Sequence, residues 1–255
     1  MSASNQASSS LEHCSIFGLI SKCILLIILI FSKVAYSQTQ FIDYTAELNK
    51  QQVELRLLDS LEKPIGSFNN LKRELLQEGK VLIFAMNAGI YMENQMPLGL
   101  YIENGKVHRQ LNTRKNLYGN FYLQPNGVFL ISNNKAFIVE TASFKNFATI
   151  NKVNFATQSG PILLMNKKIN PSLMRYGNNK LVRNAVCLSS ENRVSFSISQ
   201  QPVSFTELAT HLKEDLDCNS ALYLDGSISG VYLKENVYLD PTLYGPLIAI
   251  SALGK

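Results

Sequence analysis

Ala221-Leu-Tyr-Leu-Asp225-Gly226-Ser227-Ile-Ser229-Gly230-Val-Tyr-Leu233 reads as a buried strand to Leu224, a sharp polar turn from Asp225 to Gly230, and a second apolar run. A carboxylate at the end of an apolar strand sits at an exposed rim. There its side chain and the backbone N–H groups of the turn can face a ligand together. The same residues also fit a hairpin whose Asp accepts only the hydrogen bonds of its own turn. Both readings stay open until the rest of the chain is considered.

Outward from this stretch the chain is mostly short strands. The segment that feeds it is a helix. Ser204-Phe-Thr-Glu207 is a capping box, and Leu208, Leu212 and Leu216 follow at helical spacing. Upstream, Arg183 to Val186 opens a strand that Glu191-Asn-Arg193 turns into Val194–Ile198, and Gln158-Ser-Gly-Pro161 precedes Ile162–Met165. Val128–Ile131 and Ala136–Glu140 form a hairpin across Ser132–Lys135. Pro97–Ile102 and Lys106–Val107 form another across Glu103–Gly105. Val81–Met86 is a solid apolar run ending in Asn87-Ala-Gly89, and Val53–Leu58 alternates like a half-buried strand. Phe68–Gln77 reads as a helix with Leu71, Leu75 and Leu76 on one face and Gly79 at C′. From Val237 to Leu247 an irregular closing segment is expected. The class is α+β: one domain with a mixed, largely antiparallel sheet and about two main helices.

Of 255 residues, 46% are hydrophobic and 17% charged, a composition that can bury one sizeable core. Ile24–Phe31 is an unbroken apolar run, shorter than a bilayer span, and Ala35 and Ser37 occupy −3 and −1 of a cut after Ser37. Residues 1–37 are therefore read as an export signal and 38–255 as the mature domain. The compartment is periplasmic or extracellular, with membrane contact only through an uncleaved leader. Without the leader, 22 basic and 18 acidic residues remain. A surplus of four calls for no nucleic acid and suits an anionic small ligand. Cys187 and Cys218 follow the leader and either pair or stand as core thiols. No metal-ligand set stands out, and no cofactor is expected.

Five strand ends carry polar groups beside glycine: Asn87-Ala-Gly89, Pro125-Asn126-Gly127, Gln158-Ser159-Gly160-Pro161, Arg183-Asn184, and Asp225-Gly226-Ser227-Ile-Ser229. One such end is a turn, but five converge on a pocket lined by hydrogen-bonding groups and close backbone. Asn87-Ala-Gly-Ile-Tyr91, Pro97-Leu-Gly99, Gln158-Ser-Gly-Pro161, Arg183-Asn-Ala185 and Leu224-Asp-Gly226 with Ser229 resemble, in order, the motif set of the phosphodiester glycosidase family, in its exported bacterial branch. The resemblance runs from Leu82 to Leu233. It implies hydrolysis of a sugar 1-phosphodiester at the anomeric carbon, in envelope or extracellular glycans. One departure is local: another branch has an Asp-Gly-Gly-Gly-Ser turn where this chain has Asp225-Gly226-Ser227-Ile228-Ser229.

The resemblance makes Asp225, Asn87 and Arg183 the first catalytic candidates. Asp225 would serve as nucleophile or base, and Arg183, with its planar fork, would hold the departing phosphate. Glu93 and His108 are second-rank partner acids or bases, each equally readable as a solvated turn or strand-end residue. Gly89, Asn126, Gln158, Ser159, Gly160, Asn184, Gly226, Ser227 and Ser229 are expected at the substrate. The alternative function is a noncatalytic glycan- or phosphoglycan-binding protein on the same fold. A second titratable group converging on Asp225 would favour catalysis; an Asp225 bonded only to its own turn would favour binding.

Overall fold

The computed structural model describes residues 40–234, 236–238 and 243–253. The leader expected over residues 1–37 lies outside them. Sixteen strands and three α-helices are described, and every pairing between named strands is antiparallel.

The strands are β1 (Phe41–Glu47), β2 (Gln52–Arg56), β3 (Lys80–Asn87), β4 (Tyr101–Glu103), β5 (Lys106–Arg109), β6 (Gly127–Ser132), β7 (Lys135–Glu140) and β8 (Val153–Ser159). They continue as β9 (Ile162–Met165), β10 (Lys168–Ile169), β11 (Asn184–Ser190), β12 (Arg193–Ser199), β13 (Ser220–Asp225), β14 (Val231–Leu233), β15 (Asn236–Tyr238) and β16 (Leu247–Leu253). The helices are α1 (Phe68–Gln77), α2 (Phe144–Ile150) and α3 (Phe205–Glu214). Three sheets result, ordered β1-β12-β11-β13-β9-β10, β15-β14-β3-β16-β2 and β5-β4-β8-β6-β7.

Period-two alternation explains how these sheets pack. Leu222 and Leu224 of β13, Phe84 and Met86 of β3, and Phe129 and Ile131 of β6 all enter one shared core. Their neighbours point the other way, where each sheet meets its own helix. Ala221 and Tyr223 pack with Leu208 and Leu212 of α3, Ala85 with Leu71 and Leu75 of α1, and Val128 and Leu130 with Phe144 of α2. A strand covered on both faces reads as a continuous apolar run rather than an alternating one.

The two expected 10-residue helices form where their caps stand. Ser67 accepts the Asn70 N–H at the start of α1, and Ser204 and Glu207 close the capping box of α3. Four expectations are corrected. Leu76 is 53% exposed, because α1 buries Phe68, Leu71 and Leu75. Leu216 lies beyond α3 and is only half-buried. β2 is covered on both sides: Glu54 and Arg56 are buried, and they join Lys80 and Glu78 in one ion-pair network. The segment expected to be irregular over Val237–Leu247 is not so at its ends, since Val237 and Tyr238 belong to β15 and Leu247 opens β16, which lies between β3 and β2. Cys187 of β11 and Cys218, beyond α3, are disulfide-bonded.

Candidate active site

β13 ends at Asp225 in one sheet, and β14 starts at Val231 in another. The turn between them carries the chain from sheet to sheet, so the hairpin reading is corrected. Half of that reading survives: Asp225 Oδ1 accepts the N–H groups of Gly226 (2.6 Å) and Ser227 (2.9 Å). The other oxygen, Oδ2, faces Asn87 Nδ2 at 3.4 Å. Asn184, which opens β11 opposite Asp225, accepts the Asp225 N–H at 2.7 Å and donates to Asn87 Oδ1 at 2.6 Å. Asn87 Oδ1 also takes the Gly230 N–H at 3.2 Å. Three strand ends are thereby laced around one carboxyl.

That carboxyl lies in the wall of a cavity of about 280 Å³, with Ile90, Tyr91, Leu98, Tyr118, Tyr122 and Ser227 among its lining. Asp225 is 4% exposed and forms no ion pair among the described residues. Burial pushes its pKa up to about 6, against the pull of the turn's N–H groups. Burial and the Asp225 charge together push the Tyr91 hydroxyl up to about 12, so it is neutral at physiological pH, and it donates to Leu243 O. Tyr223 is raised by burial and then by Asp225, with Arg183 pulling it back; its hydroxyl accepts from Asn120 Nδ2 at 3.2 Å.

The other predicted residues fall into three groups. Asn87, Asn184, Gly226, Ser227 and Asp225 are brought together. Gly89 stands beside them at φ +143, where a Cβ would lie 3.2 Å from Thr157 Oγ1. A second group frames the cavity through protein contacts instead of offering groups to a ligand. Ser159 Oγ is bound to Leu224 O, Ser229 Oγ faces Val182 O, and Asn126 Nδ2 holds Phe121 O with Gly160 packed against it. Gln158 spends both ends of its amide on the protein. Its Oε1 accepts from Leu100 N and Asn112 N, and its Nε2 donates to Asn112 O and Thr141 Oγ1. Direct substrate contact by Gln158 is therefore corrected to a framing role.

The third group is not brought to Asp225. Arg183 is fully buried; Nε donates to Val203 O, and Nη2 donates to Asn179 O and Oδ1. Its guanidinium carbon lies 3.7 Å from the centroid of the Phe205 ring and 5.3 Å from that of Tyr223. The expected phosphate-binding fork is sealed behind Tyr223, and burial lowers its pKa. Glu93 lies on an exposed turn outside the cavity. His108 lines a neighbouring cavity; burial and then Lys106 lower its pKa.

Sequence reading missed the aromatic wall of Tyr91, Tyr118 and Tyr122. Tyr91 stood inside a quoted motif, but Tyr118 and Tyr122 come from a polar loop with no periodicity to mark them. Among the described residues, no group of three or more His, Cys, Asp or Glu side chains gathers as a metal site.

Three comparisons bear on this geometry. The phosphodiester glycosidase family matches residues 80–242. The Escherichia coli (strain K12) protein YigE, which is itself uncharacterized, is 36% identical over 191 residues, covering 75% of this chain and 73% of that protein. The catalytic domain of zebrafish N-acetylglucosamine-1-phosphodiester α-N-acetylglucosaminidase, auto-inhibited by its pro-peptide, superposes with a TM-score of 0.53 at 15% identity. That match covers 85% of this chain and 90% of that one. A Burkholderia pseudomallei protein whose name describes it as exported superposes with a TM-score of 0.55 at 8% identity, covering 82% and 73%. At these identities the two superpositions speak for the fold alone.

Proposed function

The chain belongs to the phosphodiester glycosidase family, and from that premise we propose that it is an exported hydrolase that cleaves a sugar 1-phosphodiester at the anomeric C–O bond. The observation that carries this reading is the Asp225 carboxyl, buried in a cavity wall with no cation beside it among the described residues. Stability alone gives no reason to keep such a group, because burial without an ion pair disfavours its charged form.

Water adds its hydroxyl to the anomeric carbon, and the bond to the phosphate oxygen breaks. The products are a free sugar and a phosphomonoester. The transition state carries oxocarbenium character, which a carboxylate at the anomeric carbon stabilises as nucleophile or as base toward water. The departing phosphate is already a stable anion, so the cavity needs no strong acid. Ser227 and the tyrosines of the wall supply hydrogen bonds and stacking faces for a sugar ring. The Cys187–Cys218 bond and the apolar leader sequence support an oxidising, exported setting.

One observation favours a glycan-binding protein without turnover: among the described residues, no second carboxylate and no histidine lines the Asp225 cavity. Both readings meet the same assay, hydrolysis of UDP-N-acetylglucosamine and a panel of sugar 1-phosphodiesters by wild type and Asp225→Asn. Turnover lost in the variant with binding retained supports the hydrolase. Saturable binding without turnover in wild type supports the binding protein.

A further inference from the structure

A second cavity, about 570 Å³, adjoins that of Asp225. Leu98 and Tyr122 line both, so the two compartments share a wall, and the larger one adds His108, Arg109, Asn112 and Arg114. Among the described residues, no carboxylate lines it. From Asn104 to Val139, 36 consecutive residues contain no Asp or Glu but include Lys106, Arg109, Arg114, Lys115 and Lys135. Of these five cations, Arg109 and Arg114 line the hollow.

The two arginines differ from the surface lysines that stand in ion pairs. Lys50, Lys135, Lys167 and Lys180 each pair with a carboxylate. Arg109 and Arg114 form no ion pair among the described residues, and the Arg109 guanidinium reaches only Met92 Sδ, at 3.9 Å. Unpaired positive charge lining a concave surface focuses a field on anions.

The loop that carries Arg114 is held in place. The buried Gln158 amide clamps Asn112 at both N–H and carbonyl, Asn112 Nδ2 donates to Leu98 O, and Asn112 Oδ1 accepts the Arg114 N–H. Gln158 belongs to β8, whose next residue, Ser159, is bonded to Leu224 O beside Asp225. One strand therefore fixes the arginine loop and the carboxyl in a common frame. Fixing the loop in advance lowers the entropic cost of gripping a ligand.

Guanidinium groups bind phosphate oxygens in a bidentate fork. The compartment is about twice the volume of the one beside Asp225, and it presents two such forks rather than one. We propose that the Arg109–Arg114 cavity is the subsite for the leaving half of the substrate and takes a diphosphate, making the substrate a sugar 1-diphosphate ester. This rests on the hydrolase reading above for the sugar's place, but the anion site itself can be tested without turnover.

Calorimetric titration with inorganic pyrophosphate and with inorganic phosphate is run on wild type, Asp225→Asn and Arg109→Ala/Arg114→Ala. Both arginines are exposed, so matched thermal melts are expected for the double variant. Pyrophosphate should bind wild type and Asp225→Asn at least tenfold more tightly than phosphate, and the double variant should lose at least tenfold in pyrophosphate affinity. In the assay, the double variant should raise KM for UDP-N-acetylglucosamine at least tenfold. KM for the methyl ester of N-acetylglucosamine 1-phosphate, whose leaving half carries one phosphate instead of two, should rise by a smaller factor. Equal affinity for the two anions, no pyrophosphate binding, or unchanged binding in the double variant overturns the proposal. If Asp225→Asn abolishes turnover while the double variant keeps wild-type KM, the hydrolase stands and the subsite falls. If pyrophosphate binding depends on the arginines but no ester turns over, the subsite stands and the hydrolase falls.

Discussion

Asp225 is the residue whose environment works against its ionised state. Its pKa is about 6 in the fold against 3.8 without burial, so the folded chain holds a proton that the unfolded chain releases between those values. Stability from this group therefore falls as pH rises from about 4 to 6, and above that window the charged carboxylate costs about 3 kcal/mol. Asp225→Asn should abolish turnover yet raise the melting temperature at pH 7, with the gain vanishing near pH 4. Melts of both proteins across that range check it, and a constant difference would show that burial does not tune this carboxyl. In wild type, kcat/KM should rise through pH 6 as Asp225 ionises. Gly226 is constrained as tightly: a Cβ there would lie 2.1 Å from the Tyr223 hydroxyl oxygen. Gly226→Ala should cost about 1–3 kcal/mol in urea unfolding. In a Tyr223→Phe background, where that oxygen is gone, most of the cost should disappear; equal costs in both backgrounds would refute the contact.

At the scale of elements, α3 is fastened to its sheet twice. Leu208 and Leu212 pack onto Ala221 and Tyr223, and the Cys187–Cys218 bond ties β11 to the chain just beyond the helix. Closing a loop of 31 residues limits the freedom of the unfolded chain. Reduction, or Cys187→Ser with Cys218→Ser, should cost about 2–4 kcal/mol, read from denaturation with and without reductant. A shift under 0.5 kcal/mol would mean that packing alone holds the helix. Because Tyr223 on this same face backs the Asp225 turn, loosening α3 should also lower turnover before the protein unfolds.

For the molecule as a whole, the shared core decides cooperativity. Phe84 and Ile250 of one sheet, Phe129 of another, and Phe196 and Leu224 of the third all contribute to one apolar cluster. Ile250→Ala should cost about 2–5 kcal/mol. Unfolding followed by tyrosine fluorescence and by far-ultraviolet circular dichroism should still coincide. Separate transitions would show that the sheets melt independently. Ile250 sits in β16, the strand least legible beforehand, because Pro241, Gly245 and Pro246 just before it speak for irregular chain. β1 was hidden in a polar run, and its place at a sheet edge beside β12 is a long-range pairing that no local pattern signals.

The sequence by itself determined the α+β class, the two capped helices, the apolar strands, the ordered polar strand ends and the family they mark. All of these follow from local periodicity, capping chemistry and short motifs, which act over a few residues. Only the tertiary structure decided what each polar group faces. Arg183 and Gln158 look like ligand-binding residues in one dimension, but packing turns the first onto Phe205 and ties the second to Asn112. Arg109 and Arg114 look like ordinary surface charges until the fold sets their cavity beside that of Asp225. Direction and neighbourhood are set by contacts between residues distant in sequence, and no local pattern carries them.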